Sequence, residues 1–420
     1  MIKSSVAKGT VTAPPSKSCT HRGMILGALT HSNFTLRNPL MAEDTVATLD
    51  ALHAFGTEIR SNTTGLRIHC EELRPSYGVI DAKNSGTTIR LITGLASLLP
   101  STTTLTGDES LIRRPMGPLV DALVQLGATC AYLGKRGSPP LAITGPIDKP
   151  SAEISGGISS QFISSLLIAC TQKNTDTKLR IKGELRSRPY VDLTLSMLRE
   201  FGAEVEETGA TFSIPGTQAL KKETYVVPGD FSSAAFPLVA AAITGGDVTV
   251  RNLDRDSPQG DKAIVDHLRA FGAKVTVSAD SVRASGGRLA GTEIDVRHTP
   301  DLFPILAVLG SVAEGKTVLK GGETLRAKES DRIATTTSFL EQMGASIMAT
   351  EDGCEIVGVD KLHGTSVQTQ GDHRIFMAAA IAGLVSATET TIDEHDSYKV
   401  SYPGFLRDMH QLGCRLVVRR

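Results

Sequence analysis

The sequence predicts an α/β protein of two domains, each built from three copies of one unit. Three observations lead there: one phrase recurs six times, a second kind of helix accompanies each recurrence, and short β-rich runs fill the intervals. At 420 residues and 44.4 kDa the chain exceeds one ordinary core and suits two large ones.

The recurring phrase is an amphipathic run that closes on an apolar residue, then Gly, then a strand-like segment. Its copies read LDALHAFGTEI, LVDALVQLGATC, LSMLREFGAEV, IVDHLRAFGAKV, FLEQMGASI and FLRDMHQLGCRL. The glycines are Gly56, Gly127, Gly202, Gly272, Gly344 and Gly413, about seventy residues apart, a period longer than that of a solenoid. Apolar residues at i, i+3, i+4 and i+7 mark a half-buried helix, and the Gly suits a left-handed cap before the chain turns into a strand.

The accompanying helix is apolar nearly all round and belongs inside a domain. Its copies are CTHRGMILGALT, SGTTIRLITGLASLL, SSQFISSLLIAC, SSAAFPLVAAAITGG, TPDLFPILAVLGSVA and DHRIFMAAAIAGLVS. Runs such as DVTVRNL, AKVTVS, TVLKGGE and TKLRIKGEL read as strands. Prolines mark crossings near Ala13-Pro14-Pro15 and Val227-Pro228-Gly229. The first strand, about residues 4–12, is expected to pair with the C-terminal half. That gives one domain of residues 1–13 plus 228–420 and another of 14–227; the simpler alternative is two consecutive domains without the exchange.

A composition 40% hydrophobic, 21% charged and free of Trp is that of a globular chain with aliphatic cores. A net charge of −1 and a pI near 6.8 offer no general basic field for nucleic acid or an anionic membrane, so any anion site must be local. Cys19, Cys70, Cys130, Cys170, Cys354 and Cys414 form no CxxC pair and have no His partners at metal-ligand spacing, so neither a zinc site nor a disulfide framework is expected. The start MIKSSVAKGT lacks the apolar stretch of a signal peptide, and the longest apolar run, 376–385, is about half a membrane span. The expected location is the cytoplasm, with reduced thiols.

Polar residues collect at the starts of the apolar helices. These read Pro14-Pro15-Ser16-Lys17-Ser18 with Arg22, Asn84-Ser85-Gly86-Thr87 with Arg90, Ser159-Ser160-Gln161, Asp230 with Ser232-Ser233, Asp301, and Asp372-His373-Arg374. Taken singly, Ser, Asp and Asn there are ordinary N-caps. The company of Lys17, Arg22, Arg90 and Arg374, placed in the first turns where the dipole disfavours cations, points instead to bound anions. Two further stretches, residues 106–115 and 326–332, put paired cations and carboxylates before helices. They are either solvated caps with local ion pairs or chemistry, since a Lys beside a Glu with an Arg three residues on can bind an anion and move a proton.

The segments PPSKSCTHR, KNSGTTIR, IRRPMGPLVDAL, GGISSQF, RSRPYVD, PGDFSSAAF, TPDLFP, AKESDRI and GDHRIFMA stand in an order and spacing that resembles the 5-enolpyruvylshikimate-3-phosphate synthase family of enolpyruvyl transferases, over essentially the whole chain. The resemblance implies a two-domain inside-out α/β barrel, each domain three repeats of a βαβαββ-type unit, with substrates bound in the cleft between the domains. It implies transfer of the enolpyruvyl group of phosphoenolpyruvate to the 5-hydroxyl of shikimate 3-phosphate, without metal or organic cofactor, by a monomer. Shikimate 3-phosphate is then assigned to Lys17, Ser18, Arg22, Ser159, Ser160, Gln161, Ser187, Tyr190, Asp301 and Lys328. Phosphoenolpyruvate is assigned to Lys17, Gly86, Arg114, Gln161, Arg332 and Arg374. Asp301 becomes the base at the 5-hydroxyl and Glu329 the group that protonates the methylene carbon, with Lys17 and Lys328 stabilising charge; His373 is expected to fix Asp372 and Arg374.

The chain departs from the family pattern at Val400, where many members have Lys and where Lys399 is displaced by one position, and at Thr324, where many have Asn. Gly86, having no methyl group to narrow the pocket, implies that glyphosate competes with phosphoenolpyruvate, while Leu91 stands where sensitive members commonly have Pro. Three alternatives differ in kind. A UDP-N-acetylglucosamine enolpyruvyl transferase would carry Lys-Asn at Lys17-Ser18 and a reactive loop Cys. A non-catalytic phosphometabolite-binding protein would dispense with Asp301 and Glu329. An RNA-end enzyme would show a basic surface.

Overall fold

The computed structural model describes residues 1–76 and 78–417. The chain divides into two compact units, one of Met1–Pro14 with Pro228–Arg420 and one of Pro15–Val227. The breaks fall at the prolines. Each unit has its own apolar core, with no residue shared between the two.

Among the described residues twelve α-helices follow one another as α1 (Lys17–Ala28), α2 (Glu43–Ala54), α3 (Gly86–Ala96), α4 (Gly117–Gln125), α5 (Ser160–Cys170), α6 (Arg188–Glu200), α7 (Phe231–Ile243), α8 (Ile264–Ala270), α9 (Phe303–Ser311), α10 (Arg332–Gln342), α11 (His373–Gly383) and α12 (Phe405–Gln411). The odd-numbered helices are the apolar ones, and nearly every residue in them is buried. The even-numbered helices are the amphipathic ones. Each of them ends on its repeat glycine with φ between +80° and +111°, a conformation that a Cβ would strain.

Within the Pro15–Val227 unit three four-stranded sheets share one strand order. Val79–Asp81 lies parallel to Thr102–Thr106, which pairs antiparallel with Leu141–Thr144, itself paired with Thr129–Tyr132. Ser151–Ser155, Thr177–Lys182, Thr211–Ile214 and Glu206–Thr208 repeat the pattern. In the remaining sheet the leading strand comes from the far end of the unit, Thr224–Val226 against Asn33–Arg37. The parallel pairs Val79–Asp81 with Thr102–Thr106 and Ser151–Ser155 with Thr177–Lys182 are bridged by the buried helices α3 and α5, as a parallel crossover requires.

The other unit follows the same plan. Lys8–Thr12 lies parallel to Asp247–Arg251, and Glu293–Asp295 to Lys316–Lys320. The strand expected over residues 4–12 is therefore shorter, starting at Lys8. Ile2–Lys3 is a separate strand that pairs antiparallel with Arg415–Leu416, and a bridge from Ile2 to Thr390 completes the last repeat. No helix among the described residues is long and apolar enough to cross a membrane.

Candidate active site

Five of the six apolar helices are capped by a side chain at the residue before them: Ser16, Ser85, Ser159, Asp230 and Asp372 each accept from a backbone N–H of the first turn. The plain capping role is thus real, and the cations are held separately. Arg22 and Arg90 lie in the second turn of their helices rather than the first, which removes the dipole argument for them.

In the Pro15–Val227 unit, Lys17 donates to Asp44 Oδ2 at 2.7 Å, from α1 to the first turn of α2. Arg22 is 2% exposed and donates to Thr194 Oγ1 (2.8 Å), Ser164 Oγ (3.2 Å) and the carbonyls of Ser18 and Tyr190. Hydroxyls and carbonyls, not carboxylates, hold it. Gly94 lets α3 approach α5, since a Cβ there would sit 2.9 Å from the Ser165 carbonyl oxygen. The approach brings Arg90 Nη1 to 2.5 Å from Gln161 Oε1, and Gln161 Nε2 donates to Thr87 Oγ1 at 2.8 Å. Arg114 Nη2 reaches Asn84 Oδ1 at 2.5 Å and Ser110 at 3.1 Å. A Cβ on Gly86 would lie 3.1 Å from Arg114 and 3.3 Å from Arg90, so two guanidiniums flank the one residue without a side chain.

Ser159 and Ser160 open α5, and Ser187 precedes α6 with φ of 52°. That conformation costs a Ser about 1–2 kcal/mol, strain of the kind stored at functional turns. The Arg188 guanidinium grips both Glu207 oxygens at 2.7 and 2.6 Å, and Tyr190 N–H closes on Ser187 O at 3.1 Å.

The other unit gathers Asp301, Lys328, Glu329, Arg332 and Arg374. Arg332, 1% exposed, donates from Nε to Asp372 Oδ2 (2.8 Å), from Nη1 to Asp301 Oδ1 (2.8 Å) and from Nη2 to Glu329 Oε2 (2.6 Å). Arg374 Nη2 takes the second Asp301 oxygen at 2.9 Å, and Lys328 Nζ stands 3.7 Å from the first. Burial alone would raise the Asp301 carboxyl, but Arg374, Lys328 and Arg332 outweigh it and hold the group well below the carboxylate range. The stretch 326–332 serves both readings. Asp331 caps α10 and pairs with Arg326, while Lys328, Glu329 and Arg332 join the cluster.

Sequence reasoning passed over Asp44 and Asp261. Asp261 is buried, accepts from Ser232 Oγ, and is pushed up to about 7 by burial, Asp301 and Asp230, against Arg374 and the Ser232 hydrogen bond. A carboxyl raised on folding keeps its proton when the unfolded chain has lost it, so it makes stability fall as pH rises from about 4 to about 7. Asp261→Asn is therefore expected to be stabilising relative to wild type at pH 8, on the order of a few kcal/mol, with the gain shrinking toward pH 4. Thermal unfolding at the two pH values checks it, and a gain independent of pH refutes it.

Of the two departures, Lys399 pairs with Asp396 at 2.8 Å, and Thr324 lies half-buried in the turn Glu323–Ala327. Cys130 is in the strand Thr129–Tyr132, its thiol pushed up to about 11 by burial and Asp121, the opposite of an activated nucleophile.

The family model described as EPSP synthase (3-phosphoshikimate 1-carboxyvinyltransferase) matches residues 2–409. The chain is 44% identical to 3-phosphoshikimate 1-carboxyvinyltransferase of Methanocorpusculum labreanum, with 99% of this chain and 98% of the relative aligned. It is 47% identical to the protein of that name from Methanothrix thermoacetophila, at 99% and 98% coverage. Among solved structures it is similar to EPSP synthase from Acinetobacter baumannii, with a TM-score of 0.83 and 30% identity over 100% of this chain and 99% of that one. Repeat architecture, the two clusters of basic and acidic side chains and full-length likeness converge, and the chain belongs to the EPSP synthase (3-phosphoshikimate 1-carboxyvinyltransferase) family.

Proposed function

We propose that this enzyme transfers the enolpyruvyl group of phosphoenolpyruvate to the 5-hydroxyl of shikimate 3-phosphate through a tetrahedral ketal, and that both side-chain clusters act on that one pair of substrates. The reading brings with it an inside-out barrel in each unit, a monomer and a cytoplasmic setting. The observation that carries it is the Asp301 carboxylate pinned by Arg332, Arg374 and Lys328 with Glu329 alongside. Three cations meet carboxylates that the chemistry needs as base and acid.

In the first half-reaction Asp301 takes the 5-hydroxyl proton as that oxygen bonds to C2 of phosphoenolpyruvate, while Glu329 delivers a proton to the methylene carbon. In the second, the methyl group loses a proton and the C–O bond to phosphate breaks. A carboxylate held far below its usual range is a weak base, and one that stays ionised beside an Arg carries no proton to deliver. Anionic substrates that occupy Arg332, Arg374 and Lys328 would take these cations from Asp301 and Glu329, restoring their proton affinity when it is needed. Lys17, Arg114 and the amides at Gly86 supply complementary anion contacts, with Ser159, Ser160, Gln161, Ser187 and Tyr190 around the shikimate ring and phosphate.

The test is phosphate release by the purified protein from phosphoenolpyruvate with shikimate 3-phosphate or UDP-N-acetylglucosamine as acceptor, with mass analysis of the product. Release with shikimate 3-phosphate alone is expected; release with UDP-N-acetylglucosamine, or with neither, overturns the reading. Gly86→Ala places a methyl 3.1 Å from Arg114 and 3.3 Å from Arg90, tighter than ordinary contact. It is expected to raise the KM for phosphoenolpyruvate and to weaken glyphosate, a competitor for the same space, by a larger factor. Inhibition measured at varied phosphoenolpyruvate decides, and an unchanged or non-competitive pattern refutes the placement.

A further inference from the structure

His21, within the PPSKSCTHR segment, has no part in the scheme above, yet it is fully buried on α1 between Lys17 and Arg22 in sequence. Its Nδ1 lies 2.7 Å from Thr48 Oγ1 on α2, and Thr48 Oγ1 lies 2.7 Å from Thr88 Oγ1 on α3. Thr88 Oγ1 in turn stands 2.8 Å from Ser85 Oγ and 3.1 Å from the Asp44 carbonyl oxygen. His21, Thr48, Ser85 and Thr88 are all 0% exposed, so water cannot substitute along the line.

The line forks at Thr88, and its two branches reach Asp44 and Ser85. Asp44 is the residue whose carboxylate holds Lys17, and Ser85 is the cap of α3, accepting from Thr88 N–H immediately before Gly86. We infer that His21 is a positioning residue, which sets Asp44 and the Ser85–Gly86 turn in register through the Thr48 and Thr88 hydroxyls and so shapes the phosphoenolpyruvate half of the site. The inference rests on the functional reading above.

The direction of the line assigns the ring's proton. A carbonyl oxygen only accepts, and Thr88 has one hydroxyl proton, which goes either to Asp44 O or to Ser85 Oγ. Thr88 must then accept from Thr48, and Thr48 from His21 Nδ1–H. The ring is the neutral Nδ1–H tautomer, with a bare Nε2 that is buried and finds no hydrogen-bond partner among the described residues. Neutrality agrees with burial, Lys17 and Arg22, all of which push the imidazole well below its ordinary value.

The test compares His21→Leu and His21→Asn. Asn places an N–H₂ at the same bond distance from Cβ as Nδ1 and can donate to Thr48, whereas Leu cannot. His21→Leu is expected to raise the KM for phosphoenolpyruvate about tenfold and to exceed its effect on shikimate 3-phosphate by about fivefold or more, while kcat changes less. His21→Asn is expected to recover most of the loss. Equal effects on both substrates, or an Asn variant no better than Leu, overturn the inference. If His21→Leu fails to fold, nitrogen NMR of the histidine-labelled wild-type protein, with the His21 signals identified by their loss in His21→Asn, still decides. A protonated Nδ1 beside a bare Nε2 supports the wire, and an Nε2–H tautomer or a doubly protonated ring refutes it. A wild-type protein that turns over neither substrate sinks the functional reading, and with it the kinetic claim, while the spectrum judges the wire alone.

Discussion

Asp301→Asn is expected to lower turnover by about two to four orders of magnitude while tightening the binding of phosphoenolpyruvate to the resting enzyme. The loss follows from removing the base. The gain follows from geometry, because Asp301 occupies Arg332 Nη1 with one oxygen and Arg374 Nη2 with the other. An amide of the same shape has no charge and one acceptor oxygen in place of two, so both guanidiniums are held less firmly and meet the anionic substrate more readily. Turnover and equilibrium binding of phosphoenolpyruvate without the second substrate, measured on the same variant, separate the effects. Weaker binding would show that Asp301 does not compete for those cations, and normal turnover would remove it from acid–base chemistry. Glu329→Gln is expected to lose turnover on a similar scale, with shikimate 3-phosphate binding changed less than about tenfold, since the lost interaction acts mainly in the transition state. Because Asp301 is held below its unfolded value, its contribution to stability is complete above about pH 4 and is lost only as pH falls through the depressed value.

Arg332→Met should be the most damaging single change to the Met1–Pro14 and Pro228–Arg420 unit, costing about 3–5 kcal/mol. Asp372, whose side chain is 0% exposed, would keep its cap on α11 but lose the guanidinium, and Asp301 and Glu329 would each lose a partner. Arg332→Lys is not expected to rescue it, because one ammonium cannot present the planar fork that three carboxylates share. Urea unfolding checks the size, with Arg113→Met as control. Arg113 makes an exposed pair with Glu109 at 3.5 Å and should shift stability by no more than about 1 kcal/mol. A cost for Arg332→Met no larger than the control would mean that the three carboxylates find other partners.

Local physics is what the sequence carries openly. The two kinds of helix are legible because burial on one face or on all faces writes itself into spacing at i, i+3 and i+4, and the glycines at 56, 127, 202, 272, 344 and 413 are legible because left-handed backbone excludes most other residues. Clusters of Ser, Asp and Arg at helix starts mark where polar groups gather, and the resemblance names roles for them. Which partner each finds is another matter. Lys17 meets Asp44 across 27 positions and Arg332 meets Asp372 across 40, with nothing in either spacing to announce it.

Strands of two or three residues, such as Ile2–Lys3 against Arg415–Leu416 or Thr224–Val226 against Asn33–Arg37, are too short to leave a period-two pattern, so only folding reveals these two pairings, whereas the pairing of the longer first strand with the C-terminal half is expected from the sequence. The line from His21 through Thr48 and Thr88 is hidden for a further reason: its members are unremarkable core residues of three different helices until packing removes water and makes each hydroxyl's single proton count. Sequence alone determined the repeat, the kind of each helix and the chemistry available. Tertiary structure alone decided which charges neutralise one another, because that depends on distance and burial, which the order of residues along a chain does not contain.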